Sequence, residues 1–276
     1  MKKFSYLLLL IISAVLVLAA CGGKENENEG SIENQNESGN ADGDLLAKVK
    51  DSGELLVGTE GTYAPFTFHD ESGKLTGFDV EIAEEIASRL GVKTKFMETQ
   101  WDAMFPGLDS ERFDMIANQV GIKPERQEKY DFSDPYISSS AVLVTPADNN
   151  DVKSFEDIKG LKAAQSLTSN YGEMAKSYGA ELVGIDGFNQ AIELLNSNRV
   201  DVTINDKLTV LDFQKQKPEA NIKVVAEADD AAQSGLMFRK GSETLVKAVN
   251  EALNEMIEDG TYNEISEKWF GENVLE

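Results

Sequence analysis

Cysteine occurs once in this 276-residue chain, at position 21, and histidine once, at position 69. A single cysteine excludes an intrachain disulfide and a thiolate metal cage. A single histidine excludes a zinc site built on several imidazoles. Positive charge is scarce as well: 26 Lys and Arg stand against 49 Asp and Glu, a net charge of −23. So acidic a chain lacks the basic face that nucleic acid requires, and electrostatics would not hold it on anionic lipid. The apolar run Tyr6 to Ala20 is too short for a comfortable membrane span. Catalytic signatures are missing too: there is no nucleophile elbow, no phosphate loop and no paired histidines. Neither an enzyme, a cofactor nor a metal is therefore expected.

What is present begins with an export signal. Met1-Lys2-Lys3 is a basic start, the apolar run follows, and Leu18-Ala19-Ala20-Cys21 ends it. A cysteine after small residues resembles the bacterial lipoprotein signal, which implies cleavage before Cys21 and acylation of its sulfur. Residues 22–43 are rich in Gly, Asn, Glu and Ser and hold too little apolar surface to offset their ordering entropy, so they read as a tether.

From Leu45 onward short apolar runs alternate with amphipathic segments. Leu55–Gly58 and Val92–Phe96 read as strands, and Ile82, Ala83, Ile86, Ala87 and Leu90 mark a helix with Asp79 as its N-cap. Leu161–Ala164 and Val200–Ile204 read as later strands, with a helix through Phe188, Ala191, Ile192 and Leu195 between them. This order predicts an α/β fold of mainly parallel sheets flanked by helices.

The stretch Leu108–Tyr136 stands out. Its apolar run Phe113–Ala117 breaks into Asn118-Gln119-Val120-Gly121 and restarts at Pro124, with Arg126 at a helix opening. A buried strand ending in amides, a glycine and an arginine is suited to a polar ligand. Leu108, Ser110, Arg112, Asp114 and Asn118 recur as Leu195, Ser197, Arg199, Asp201 and Asn205, at a constant offset of 195 − 108 = 87. Two similar strand ends predict two similar lobes facing each other across a ligand.

The candidate contacts have a common chemistry. The Arg126 fork matches a carboxylate, although the same residue also reads as a solvated arginine on a short helix. Thr168, Ser169 and Asn170 lie between a strand and a helix and read either as anion contacts or as plain N-caps. Asp206 ends a buried strand, where a carboxylate calls for a cation, and it also suits a helix N-cap. Tyr63 and Trp101 are aromatic walls or core. An arginine with a helix N-terminus, a carboxylate and aromatics together describe a site for an α-amino acid.

GTEGTYAPFTF, LTGFDVEIAEEIA, ANQVGIKPERQEKYDFSDPY and GTYNEISEKWFG resemble the family 3 solute-binding proteins of amino-acid ABC importers. ETQWDAMFPGLDSERFDMIANQV and AAQSLTSNY resemble the L-cystine-binding branch. The resemblance implies a type II periplasmic-binding-protein fold: two lobes, joined by two crossover strands, that close on the ligand. The lobes are then 44–138 with 235–276, and 139–234, with hinge strands near 139–145 and 231–237.

By position, Arg126 is implied as the carboxylate clamp and Thr168 and Ser169 as the second lobe's contacts to it. Asp206 is implied as the ammonium acceptor, Tyr63 and Trp101 as walls, and Glu60 as a side-chain reader. Gln165 belongs to the same set. Asn118 and Gln119 are left for the ligand's far end. Gly121 stands where many relatives carry Thr or Ser, leaving only its backbone N–H. The implied partners are L-cystine, an ABC permease with its ATPase, and the membrane through Cys21, with the protein a monomer outside the cytoplasm. Arginine or glutamine as ligand, an exported cyclohexadienyl-type dehydratase with Glu60 as its acid, and an adhesin or sensor are the alternatives.

Overall fold

The computed structural model describes residues 44–275. The export signal, Cys21 and the tether lie outside the described residues. The larger sheet takes its five strands in the order Lys93–Glu98, Glu54–Thr59, Met115–Ile116, Met237–Arg239, Tyr130–Phe132. The first three are mutually parallel, and Met237–Arg239 runs against both of its neighbours. Helices Phe78–Arg89 and Glu243–Glu258 pack Ile82, Ile86, Val249 and Met256 against Leu55, Val57 and Phe238. Helix Trp101–Asp109 meets a second apolar cluster through Met104 and Leu108. Sequestering both faces of the sheet supplies the main driving force for this half of the fold.

The second half is built around Ala141–Pro146, which pairs antiparallel with Thr203–Asp206 and with Ile222–Glu227. Lys162–Gln165 runs parallel to Glu181–Gly184 and touches the other strands through an Ala163–Val202 bridge. Phe188, Ile192, Leu195 and Val210 cover one face, and Phe155, Ile158 and Ala175 the other. Ile137–Ser139 and Ala232–Ser234 pair antiparallel as the chain passes between the two halves.

The internal repeat is structural. Leu108 and Leu195 lie at helix ends, with Ser110 and Ser197 as C-caps. Glu111 and Asn198, 87 positions apart (198 − 111), both hold left-handed backbone, at φ 58° and 52°. The next backbone N–H turns back in each copy, from Arg112 to Gly107 O and from Arg199 to Leu194 O, both 2.9 Å. Asp114 then accepts the N–H of Leu56 and Asp201 that of Lys162, so each aspartate pins its strand to a neighbour.

Asp79 corrects the sequence reading. Gly77 is the N-cap and Asp79 the second residue of helix Phe78–Arg89, wholly buried. Gly77 is required there: its φ is 134°, and a Cβ would lie 2.2 Å from Phe66 O. That close approach starts the helix ahead of Asp79 and turns the carboxylate inward.

Candidate functional site

A cleft with about 490 Å³ of space free of atoms, part of it continuous with solvent, lies between the two halves. Glu60, Tyr63, Trp101, Asn118 and Gln119 line it from the first half, and Gln165 and Ser169 from the second. Each stands where a strand ends or a helix begins, which is where backbone polar groups are free and side chains converge. Tyr63 donates its hydroxyl to Asn205 Oδ1 at 2.9 Å across the cleft, and Lys123 pairs with Glu173 outside it.

Arg126, Gly121, Thr168 and Asp206 do not line the cleft directly. Arg126 is 8% exposed and lies against Trp101, its Cζ 5.7 Å from the ring centroid. Its Nη1 donates to Gly121 O at 3.0 Å. No carboxylate pairs with it among the described residues; burial lowers its pKa, opposed by the charges of Glu173 and Glu125. A Cβ on Gly121 would meet nothing closer than that Nη1, at 3.6 Å, so crowding does not demand glycine there.

Asp206 is buried and receives only neutral donors: Ser139 Oγ at 2.9 Å, Tyr171 Oη at 3.2 Å and Leu208 N at 2.8 Å. It therefore caps helix Lys207–Gln216 as well. Thr168 is engaged elsewhere, its Oγ1 donating to Asp102 Oδ1 at 2.6 Å, and Ser169 Oγ donates to Ser166 O at 2.8 Å while capping helix Asn170–Ser177 through Gly172 N. The site thus holds a buried cation and a buried anion that have no partner in each other.

The remaining polar groups are arranged around Glu60. Asn118 donates Nδ2 to Glu60 Oε2 at 2.7 Å and accepts the Glu60 N–H at 2.8 Å. Gln119 is held from below by Asp79 at 2.7 Å. Two buried donors of the cleft, Trp101 Nε1 and Gln165 Nε2, have no protein partner and are available to a ligand's acceptors. Sequence reasoning missed Tyr171, Ile185 and Phe188, which also line the cleft, as does Asn205, the repeat's counterpart of Asn118. Tyr171 directly follows the Thr168-Ser169-Asn170 motif, which was its one available signal. Ile185 and Phe188 have the apolar pattern of core residues and carried none.

Three carboxyls here have raised pKa values, each chiefly through burial: Glu60 to about 7, Asp79 to about 7 and Asp206 to about 6. Hydrogen bonds from Asn118, Gln119 and Ser139, respectively, hold the shifts back. A carboxyl with a raised folded pKa grips its proton more tightly folded than unfolded. It therefore favours folding most below its ordinary value and loses that contribution as pH rises through the folded one. Ligand-free protein is expected to lose stability between about pH 4 and 7, and denaturant melts across that window check it. A flat or rising profile would show that these groups are not desolvated.

Two α/β lobes joined by a strand pair, with a polar cleft between them, define a two-lobed solute-binding protein. Comparison agrees: residues 55–272 match the bacterial extracellular solute-binding proteins, family 3, and the chain belongs to that family. It is 51% identical to the L-cystine-binding protein TcyA of Bacillus subtilis over 276 residues, covering 99% of each chain. Among solved structures, an ancestral arginine-binding protein bound to glutamine shares 41% identity at a TM-score of 0.77, over 80% of this chain and 99% of that one. The L-cystine solute receptor of Neisseria gonorrhoeae, in its unliganded open conformation, shares 51% identity at a TM-score of 0.56, over 85% and 100%.

Proposed function

We propose that this protein captures L-cystine between its lobes and delivers it to an ABC permease energised by an ATPase, acting as a binding protein and not as an enzyme. The observation that carries the amino-acid reading is the separated buried pair, Arg126 behind Trp101 and Asp206 behind Tyr171. Buried charges are ordinarily paired, so a cation and an anion left apart beside one cleft are complementary to a zwitterion. The α-carboxylate would take Arg126 and the α-ammonium Asp206, with Ser169 and the helix start behind it supporting the carboxylate.

Cystine in particular is favoured by what remains. Glu60, Asn118, Trp101 Nε1 and Gln165 Nε2 offer both acceptors and donors for a second amino-acid end. Tyr63 and Trp101 supply aromatic surface for the disulfide between the ends. The likeness to TcyA and to the gonococcal receptor supports the same choice. Competition for labelled L-cystine tests it: cystine is expected to displace the label at lower concentration than arginine or glutamine. Either rival displacing it first overturns the assignment.

The match pattern supports closure by rigid lobes. The unliganded open receptor is closer in sequence than the glutamine-bound ancestor yet superposes less well, which a different lobe arrangement would produce. The lobes are proposed as 44–138 with 235–276, and 139–234, moving about the pair Ile137–Ser139 and Ala232–Ser234. Cys21 is proposed as the lipid attachment that holds a monomer at the outer face of the membrane. Cys21→Ala should release the protein into the medium, and retention at the cell surface would rule that anchor out.

A further inference from the structure

Asp79 is a carboxylate beneath the cleft to which the binding reading assigns no role. It is fully buried, and the groups bearing most on it are neutral donors and another acid, Asp206. Burying a carboxylate without a cation is costly, and an apolar side chain of similar size would fill the position without that cost. Its neighbours Val80, Ile82 and Ala83 are themselves buried and apolar. Retention of an acid here therefore calls for a reason beyond packing.

All three of its side-chain hydrogen bonds come from two residues. Gln119 donates its backbone N–H at 3.0 Å and its Nε2 at 2.7 Å. Tyr136 donates its hydroxyl at 3.0 Å. Gln119 lines the cleft and holds φ 54°, a conformation uncommon outside glycine that needs outside support. Tyr136 is the residue next to Ile137–Ser139, the first connecting strand. Its N–H donates to Ser234 O of the second connecting strand at 3.1 Å.

The far side of the cleft loop is bonded to that second strand directly. Ile122 N–H donates to Gln233 O at 2.9 Å, and Gly235 N–H donates to Val120 O at 3.0 Å. A closed ring results: cleft residue, buried carboxylate, tyrosine, connecting strands, and back to the cleft loop.

We propose that Asp79 is a positioning residue that ties the cleft loop Asn118–Gly121 to the strand pair joining the lobes. Displacement of either by ligand or by hinge motion is then felt by the other through this continuous run of hydrogen bonds. A carboxylate suits this task, since its two oxygens accept from both attachments at once.

Amide hydrogen exchange on the ligand-free full chain tests the coupling, using Asp79→Leu and Tyr136→Phe. The amides of Gln119, Ile122, Tyr136 and Gly235 are expected to exchange faster together, by at least about tenfold, while those of Leu56 and Val57 in the central strand keep their wild-type rates. Acceleration at Gln119 alone, with Ile122, Tyr136 and Gly235 unchanged, overturns the proposal. If Asp79→Leu loosens the whole chain, Tyr136→Phe, which deletes one hydroxyl and keeps the ring, decides by the same criterion. The affinity of both variants for L-cystine should fall by about tenfold, and wild-type affinity in either also overturns the coupling. That second measurement rests on the ligand reading. If the wild-type chain itself fails to bind L-cystine, the ligand assignment falls and the exchange result still decides the role of Asp79.

Discussion

Arg126→Ala is expected to lower affinity for the amino acid by roughly 30- to 4,000-fold, because truncating one member of a buried, hydrogen-bonded charge pair costs about 2–5 kcal/mol. The environment of the guanidinium is the reason to expect the upper part of that range. It is held by Gly121 O at 3.0 Å and flanked by the rings of Trp101 and Phe105, at 5.7 and 5.4 Å from its Cζ. It is thus oriented and desolvated before ligand arrives, and a carboxylate meets it without further ordering. Arg126→Lys keeps the charge but loses the planar fork, and should fall between wild type and alanine. Titration calorimetry reads the loss, and an unchanged circular dichroism spectrum shows that the fold persists. Binding by Arg126→Ala within about threefold of wild type would rule out the clamp.

Asp206→Asn is expected to move affinity and stability in opposite directions. Loss of the charge removes the partner of the ligand ammonium, so affinity should fall by roughly 30-fold or more on the same reasoning. The ligand-free chain should melt at the same temperature or higher, because an unpaired buried carboxylate is removed while its hydrogen bonds survive. Asparagine still caps Leu208 N, and the Ser139 and Tyr171 hydroxyls can turn to suit the amide.

The pH dependence separates this from a packing effect. The wild-type carboxyl has its pKa raised from 3.8 to about 6, so it is ionised and costly at pH 8 and protonated well below 6. The thermal gain from asparagine should therefore appear at about pH 8 and disappear near pH 4. An ammonium ligand favours the ionised form, so wild-type affinity should tighten as pH rises through about 6. A lower melting temperature for the variant at both pH values would mean that Asp206 is chiefly a helix cap, and the ammonium reading would fail.

Much of this protein was legible in the chain because the signals are local. Strands Glu54–Thr59 and Lys93–Glu98 and the apolar face Ile82, Ala83, Ile86 and Ala87 of helix Phe78–Arg89 depend on neighbours a few positions away. The 87-residue repeat was also readable, since each copy uses the same residues for the same turn and the same strand pin. It predicted two facing strand ends, and Asn118 and Asn205 do line one cleft.

Only the tertiary structure decided which polar residues face one another. Thr168 has the hydroxyl of an anion contact, but Asp102, 66 positions away, takes it. Asp79 has the spacing of an N-cap, yet the backbone of Phe66 forces glycine at position 77 and starts the helix early. Tyr171 bonds Asp206 across 35 residues, and Tyr63 bonds Asn205 across 142. Periodicity and caps report what a residue does within about one turn or one strand of itself. Hydrogen bonds between distant segments depend on how elements pack within each lobe and on how the lobes are set against each other, and no local pattern encodes that.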